Sequence, residues 1–440
     1  MVTFMTTILN EARKKIKMFN IFSYSLYNAV KYKLHFCTFE DAVISACNSL
    51  THENYIFTKV IQWGIQEIYN DANIKDNDNL KNYFSTFSNK VPYTPHELQH
   101  SISVIKNVMQ YAGSRNETLI FENDDYTPVN SGTVSLVFKA QLNNVPVIIK
   151  ILRPNIKNKI KEDIDVLLHL FGNPVIKKIV ECYIKLNFKK FIENNTDILL
   201  RQCDFHNEVK NALIFKSNLI NKKNIVVPCI YTHFTETFNE VIIMEYLEGP
   251  IAKNVPLEKL RKNIEPLQSF FFDSLFRHNV LHGDFHLGNI IIMDDGNKIG
   301  IIDFGIVHFL TDEDSNKLFD IMFLTTSNNN NNNNVNTFYN ILKISIRFVC
   351  SDKNQHERIY EQVSQDKELE SLIRYNDYST NMIIKIINKI MSLENVELKT
   401  NVCELFLSSM SGLQTIEYVN NNMNMSNLTK TFMSKSIKMD

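Results

Sequence analysis

The stretch His282–Gly305 constrains the fold more than any other part of this 440-residue chain. It reads His282-Gly283-Asp284-Phe285-His286-Leu287-Gly288-Asn289, then an apolar run Ile290–Met293, a turn at Asp294–Gly296, a second apolar run Ile299–Ile302, and Asp303-Phe304-Gly305. Two short isoleucine-rich runs separated by Asp and Gly are the pattern of buried strands joined as a hairpin. A hairpin returns the chain to its starting point. The polar groups before its first strand and after its second are therefore carried to one place.

The polar skeleton of that stretch is His, any residue, Asp, four residues, Asn, and after the hairpin Asp-Phe-Gly, the spacing of a kinase catalytic loop. Transfer of a γ-phosphoryl group needs positioning and charge neutralisation more than covalent help, and these residue types suit it. Asp284 is the candidate catalytic residue, able to orient or deprotonate an attacking hydroxyl or water. Asn289 and Asp303 offer hard oxygen ligands for Mg²⁺. Gly305 allows a backbone turn after the metal ligand. His282 is expected to order the backbone, not to act as a base. His286 is compatible with a phosphate contact or with a structural role.

A site of this kind needs a strand lysine for the α- and β-phosphates of ATP and a helix carboxylate to hold that lysine. Val147-Ile148-Ile149-Lys150 supplies the lysine, with Lys150 and Ile148 on one face. Glu208, beside the apolar stripe Phe205, Val209, Ala212 and Leu213, is the expected partner. Glu245 to Leu247 takes the place of the hinge that offers backbone groups to adenine. The phosphate loop is expected at Ser131, Gly132 and Thr133. It has a single glycine and lacks the usual G-x-G-x-x-G.

Around this constellation the chain reads as an α+β, two-lobed protein-kinase-like fold with a helical N-terminal extension. The extension covers 1–117, the smaller lobe 118–248 and the larger lobe with a helical tail 249–440. The runs Val134–Ala140 and Val145–Leu152 read as strands closed by Asn143-Asn144, a pair that tolerates positive φ. Residues 197–217 and 256–279 each read as one helix. Asn328–Asn334 reads as a solvated loop.

Lys plus Arg number 47 against 48 Asp plus Glu, a balance that calls for no nucleic-acid partner. Seven scattered cysteines without C-x-x-C spacing fit free thiols in a reducing, intracellular compartment. No apolar run approaches the about 18 to 20 residues of a membrane helix. The first 36 residues carry Arg13, Lys14, Lys15, Lys17, Lys31 and Lys33 against Glu11. That charge suits a targeting or membrane-surface helix as well as an ordinary basic one.

These residues resemble the UbiB/AarF-type atypical protein kinase-like family, the AarF-domain-containing kinases. The loop His282–Asn289 with Asp303-Phe304-Gly305 is similar to that family's H-x-D-x-H-x-G-N and D-F-G. Lys150 followed by Arg153-Pro154-Asn155-Ile156 and Asp163 resembles its lysine strand and R-P-G-I segment. Asp204-Phe205, Glu208 and Asn211-Ala212 resemble its D-[FY]-x-x-E-x-x-N-A helix. The resemblance implies an ATP- and Mg²⁺-dependent phosphotransferase or ATPase linked to isoprenoid-lipid or quinone metabolism. It implies a lipid or membrane-surface partner and a mitochondrial or membrane-associated setting, and it names no protein substrate. It also identifies Lys59-Val60-Ile61-Gln62-Trp63 with the family's K-x-G-Q gate. Here Ile61 replaces the glycine, and Gln202 stands where the family has glutamate.

Two other readings share part of the pattern. Small-molecule kinases of the aminoglycoside or choline type use a related H-G-D-x-H-x-x-N loop. A pseudokinase scaffold would bind ATP without turnover.

Overall fold

The computed structural model describes residues 2–53, 56–57, 77, 79–80, 83, 91–122, 125–172, 188–293, 297–326, 334–366, 369, 383, 385–387, 389–390, 393, 396–397, 399 and 402–420. The Lys59–Trp63 segment, the Asp294–Gly296 turn and residues 328–333 of the asparagine run lie outside them. The helices are α1 (Val2–Lys33), α2 (Phe39–Glu53), α3 (Pro95–Ser114), α4 (Ile156–Gly172), α5 (Phe188–Arg201), α6 (Phe205–Asn218), α7 (Thr232–Thr237), α8 (Leu257–Leu260), α9 (Ile264–Arg277), α10 (Asp312–Thr326), α11 (Asn334–Val349), α12 (His356–Ser364) and α13 (Val402–Val419). The strands are β1 (Leu119–Ile120), β2 (Asn130–Ser131), β3 (Ser135–Leu142), β4 (Val145–Leu152), β5 (Ile225–Val226), β6 (Val241–Glu245), β7 (Val280–His282), β8 (Ile290–Met293), β9 (Lys298–Ile301) and β10 (Val307–Phe309).

The described residues of Met1–Ile184, Phe188–Phe205 and Tyr231–Tyr246 form one compact unit. Its centre is an antiparallel sheet in the order β1-β3-β4-β6, with β2 also on β3. Asn143 and Asn144 have φ of 51° and 66° and close the β3–β4 hairpin, as the sequence predicts. Along β4 the pleat sends Val147, Ile149 and Ile151 into an apolar cluster with Val104, Ile105 and Val108 of α3. Ile148 and Lys150 therefore occupy the other face. A capping box between Thr94 and Glu97 fixes the start of α3. On the helical side α1 is tied to α4 by Lys17 and the fully buried Asp163. Helix α4 starts two residues after Pro154, because Asn155 takes a positive φ of 55°.

The described residues of His206–Ile230 and Leu247–Asp440 form the second unit. It holds the sheet β5-β9-β8, in which β8 and β9 are the antiparallel hairpin expected from the sequence, and the antiparallel pair β7–β10. A phenylalanine-rich core surrounds α9, with Phe270, Phe271, Phe272 and Phe285 buried.

Two expected helices are broken. Residues 256–279 become α8, a 3₁₀ turn at Arg261–Asn263 and α9. Pro266 lacks the N–H that a continuous helix would donate to Lys262. The 197–217 helix divides into α5 and α6. Cys203 N–H bonds to Leu200 O and Asp204 N–H to Arg201 O, so the turn tightens to i−3 bonding. Asp204 then precedes α6, where a short acceptor side chain favours a new start. No described helix is long and apolar enough to cross a membrane.

Candidate active site

The second unit contains the catalytic-loop motif, and its bonds radiate from His282. Strand β7 ends at His282, paired with Val307 of β10. The imidazole is buried, with both nitrogens committed to backbone. The Asp284 N–H donates to Nδ1 at 3.2 Å, so Nδ1 carries no proton and Nε2–H donates to the carbonyl of Asp303. One neutral ring thereby joins the two aspartates of the motif. This arrangement matches the ordering role expected for His282.

Asn289 follows a 3₁₀ turn at the start of β8. Its Nδ2 donates to Asp284 O at 2.9 Å, and the other end of the amide is the oxygen Oδ1. The Ile302 N–H donates to Asn289 O at 3.1 Å, locking the loop to the strand that leads into Asp303. Asp303 Oδ1 accepts the Gly305 N–H at 2.9 Å. Gly305 contributes through that N–H and not through a special conformation: among the described glycines only Gly249 has a positive φ. Asp284 keeps 24% of its side chain exposed and lies 3.5 Å from His286 Nε2. His286 Nδ1 accepts the Gly288 N–H at 3.0 Å. A Cβ on Gly288 would fall 2.7 Å from the His286 ring, and one on Gly283 would fall 2.1 Å from Ile306 Cγ2, so both positions need glycine.

Three anchors of this loop had no assigned role in the sequence. Asn211 of α6 is buried and donates from Nδ2 to Phe304 O at 2.9 Å. Its spacing from Glu208 was the available signal. Thr415 of α13 donates to Phe285 O at 3.0 Å, and Ser408 of the same helix lies 2.9 Å from His308 Nε2. Nothing local marks these tail residues as loop supports.

Acidification gives a sign-defined prediction. Burial, the largest influence, pushes the His282 pKa down, against the raising effects of Asp303 and Asp284. His278 shifts the same way, mainly through burial. The unfolded chain thus binds protons more readily below about pH 6.5. In metal-free buffer, stability is full above that pH and falls as pH drops, by about 1.4 kcal/mol per pH unit for the buried His282 until its folded pKa is reached, and by less for the exposed His278. Urea midpoints between pH 7.5 and 5.5 test this, and a flat or rising trend on acidification contradicts it.

Glu208 of α6 also belongs to the second unit and is only 5% exposed. Leu247 is buried there, and Gly300 of β9 leaves the room: a Cβ on Gly300 would lie 2.4 Å from Leu247 Cδ1.

The first unit holds the remaining candidates. Lys150 lies in the interior of the sheet, paired with Val137 of β3 and Ile242 of β6, and is 8% exposed. Glu245 ends β6 opposite Val147, and the chain leaves this unit at Tyr246.

At Ser131, one of the phosphate-loop candidates, the polar groups are engaged within the protein. Its hydroxyl donates to Val91 O at 2.5 Å and accepts Arg153 Nη2–H at 2.8 Å, and its N–H is taken by Asn130 Oδ1. A buried hydroxyl satisfied twice within the protein has a structural duty. Gly132 has room for a Cβ, 3.6 Å from Ser135 O, so its conformation does not require glycine. Thr133 is buried, and its Oγ1 has no hydrogen-bond partner among the described residues.

Residues 95–337, more than half of the chain, match the ABC1 atypical kinase-like domain. The chain belongs to the ABC1 atypical kinase-like family. Its fold is accordingly α+β and protein-kinase-like. Two curated relatives of this ABC1 chain carry the name "Probable protein kinase UbiB". One, from Shewanella pealeana, is 29% identical over 209 residues, covering 45% of this chain and 37% of the relative. The other, from Tolumonas auensis, is 30% identical over 213 residues, covering 45% and 38%. The match thus spans well under half the length of these relatives. Among solved structures, the Rv3197–erythromycin complex from Mycobacterium tuberculosis aligns with a TM-score of 0.41 at 18% identity, covering 70% of this chain and 76% of the other.

The donor chemistry suits a hard divalent cation. Asp303 brings a carboxylate and Asn289 an amide oxygen, both oxygen ligands of the kind Mg²⁺ selects. Among the described residues no group of three or more His, Cys, Asp or Glu could hold a metal ion by itself. A two-ligand site completed by phosphate and water is the ordinary arrangement for Mg²⁺.

Proposed function

We propose that this ABC1-type chain is an ATP- and Mg²⁺-dependent phosphotransferase or ATPase of the UbiB type. The observation that supports it most is the linkage of Asp284, Asn289 and Asp303 through His282 and the Asn289 amide. In this reading Asp284 orients the attacking hydroxyl or water and accepts its proton. Asn289 and Asp303 would hold Mg²⁺, which when bound neutralises charge on the phosphates. Lys150 holds the α- and β-phosphates, and Glu208 is its counter-ion. Glu245 and Leu247 offer backbone groups to adenine, while Gly132 and Thr133 face the phosphates. Lys150 and Glu208 are both buried, and a charge removed from water needs a partner, which is the role this reading gives to each.

The division into 1–117, 118–248 and 249–440 belongs to the same proposal. So does a role in isoprenoid-lipid or quinone metabolism, which rests on kinship alone. The test is ADP release by purified full-length chain, with and without Mg²⁺ and with and without added isoprenoid lipid. Metal-dependent turnover is expected. ATP binding without turnover would assign the chain to the pseudokinases, and rapid phosphorylation of an aminoalcohol or sugar would assign it to the small-molecule kinases.

A further inference from the structure

Arg153 follows β4 and is one of the most completely buried large side chains of the protein, at 2% exposure. Its hydrogen bonds all point into two short segments. Nε and Nη2 donate to Gly132 O at 3.1 and 2.9 Å, and Nη2 also reaches Ser131 Oγ at 2.8 Å. Nη1 donates to Pro92 O at 3.1 Å and Glu97 Oε2 at 2.9 Å, and Nη2 to Val91 O at 3.3 Å. Glu97 is in turn held by the Thr94 N–H at 2.9 Å and by Lys159 at 3.3 Å. A buried guanidinium is an expensive way to gain stability, because apolar residues of similar volume often do as well. What it does supply is position: a planar fork with five N–H groups fixes its acceptors in place.

The peptide geometry shows what is positioned. In a planar trans peptide the C=O of one residue and the N–H of the next point in opposite directions. With Gly132 O drawn onto Arg153, the Thr133 N–H is turned away from the guanidinium. A loop that meets a phosphate must also keep its carbonyl oxygens from the anion, and Arg153 takes up that of Gly132. The next side chain, Thr133, carries the buried hydroxyl that lacks a partner among the described residues.

We infer that Arg153 is a positioning residue for nucleotide phosphates. Anchored on Glu97 and the Val91–Pro92 backbone, it sets Ser131–Gly132 so that Thr133 presents its N–H and hydroxyl to a phosphate oxygen. The inference rests on the nucleotide reading above and states how that site is held. It also makes the segment 91–97, ahead of the sheet, part of the support of the nucleotide site.

The experiment measures dissociation constants of the full-length chain for Mg-ATP and for adenosine, which lacks phosphate, together with thermal midpoints. Thr133→Val is expected to weaken Mg-ATP by about tenfold, the worth of one hydrogen bond to a charged group, with adenosine unchanged. Its thermal midpoint should not fall, because the lost hydroxyl has no hydrogen-bond partner among the described residues. Glu97→Gln, which alters the anchor of Arg153 and no group of the Ser131–Thr133 loop, should weaken Mg-ATP by about fivefold, again sparing adenosine. Arg153→Lys, with one ammonium in place of the fork, should weaken Mg-ATP more than Glu97→Gln does. If that variant does not fold, the other two decide. Variants that bind Mg-ATP within twofold of the unaltered chain, or that lose adenosine in parallel, overturn the inference alone. An unaltered chain that binds neither ligand overturns the nucleotide reading and the inference together.

Discussion

Asp303→Asn is expected to reduce Mg²⁺-dependent ATP turnover by about a hundredfold or more, the scale seen when a pre-set electrostatic group at a reacting centre is removed. The substitution isolates charge from shape. Asparagine keeps an oxygen that can accept the Gly305 N–H now held by Asp303 Oδ1. The backbone carbonyl that receives His282 Nε2–H is untouched. Folding stability should therefore change by less than about 1 kcal/mol, as for substitutions that leave packing and hydrogen bonds in place. What is lost is the anionic ligand, without which Asn289 offers only a neutral oxygen. Turnover within twofold of the unaltered chain, in a variant of normal thermal midpoint, would remove Asp303 from the reaction and with it the main support for the proposed function.

Phe285→Ala should produce the largest loss of stability in the catalytic loop, about 3–5 kcal/mol, the usual cost of deleting a fully buried phenyl ring. Phe285 has no exposed surface. Its ring centroid lies 4.9 Å from that of Phe270, 6.0 Å from His282 and 6.2 Å from Phe271. Because domains are stable by only about 5–15 kcal/mol, the second unit should unfold at a much lower urea concentration. The effect should also reach the chemistry, since the cavity lies beside the imidazole that joins Asp284 to Asp303. Phe285→Leu fills much of the space and should recover most of the loss. A change below about 1 kcal/mol for Phe285→Ala would mean that the loop is held by its hydrogen bonds and not by this packing.

The local features of the site are legible in the sequence. The Asn143-Asn144 hairpin could be read because asparagine accepts positive φ with little strain. The face of Lys150 followed from the two-residue period of a strand, and the β8–β9 hairpin from two isoleucine-rich runs around a turn. The break between α5 and α6 was not legible. It depends on i−3 bonds at residues 203 and 204, and apolar periodicity continues across them. The bonds of Ser131 were not legible for a related reason: a serine in a loop looks available until the fold supplies Arg153 and the carbonyl of Val91.

By itself, then, the order of residues determined most of the elements and the set of polar groups proposed to carry the chemistry, because strand alternation, turn preference and motif spacing act over a few neighbouring positions. The partners of those groups were decided by tertiary structure alone. Thr415 reaches the Phe285 carbonyl from 130 residues away, and Arg153 joins Glu97 to Gly132 across separate segments. Hydrogen bonds between distant segments leave no periodic trace in a sequence. They form only once packing has brought donor and acceptor together and excluded the water that would otherwise satisfy them.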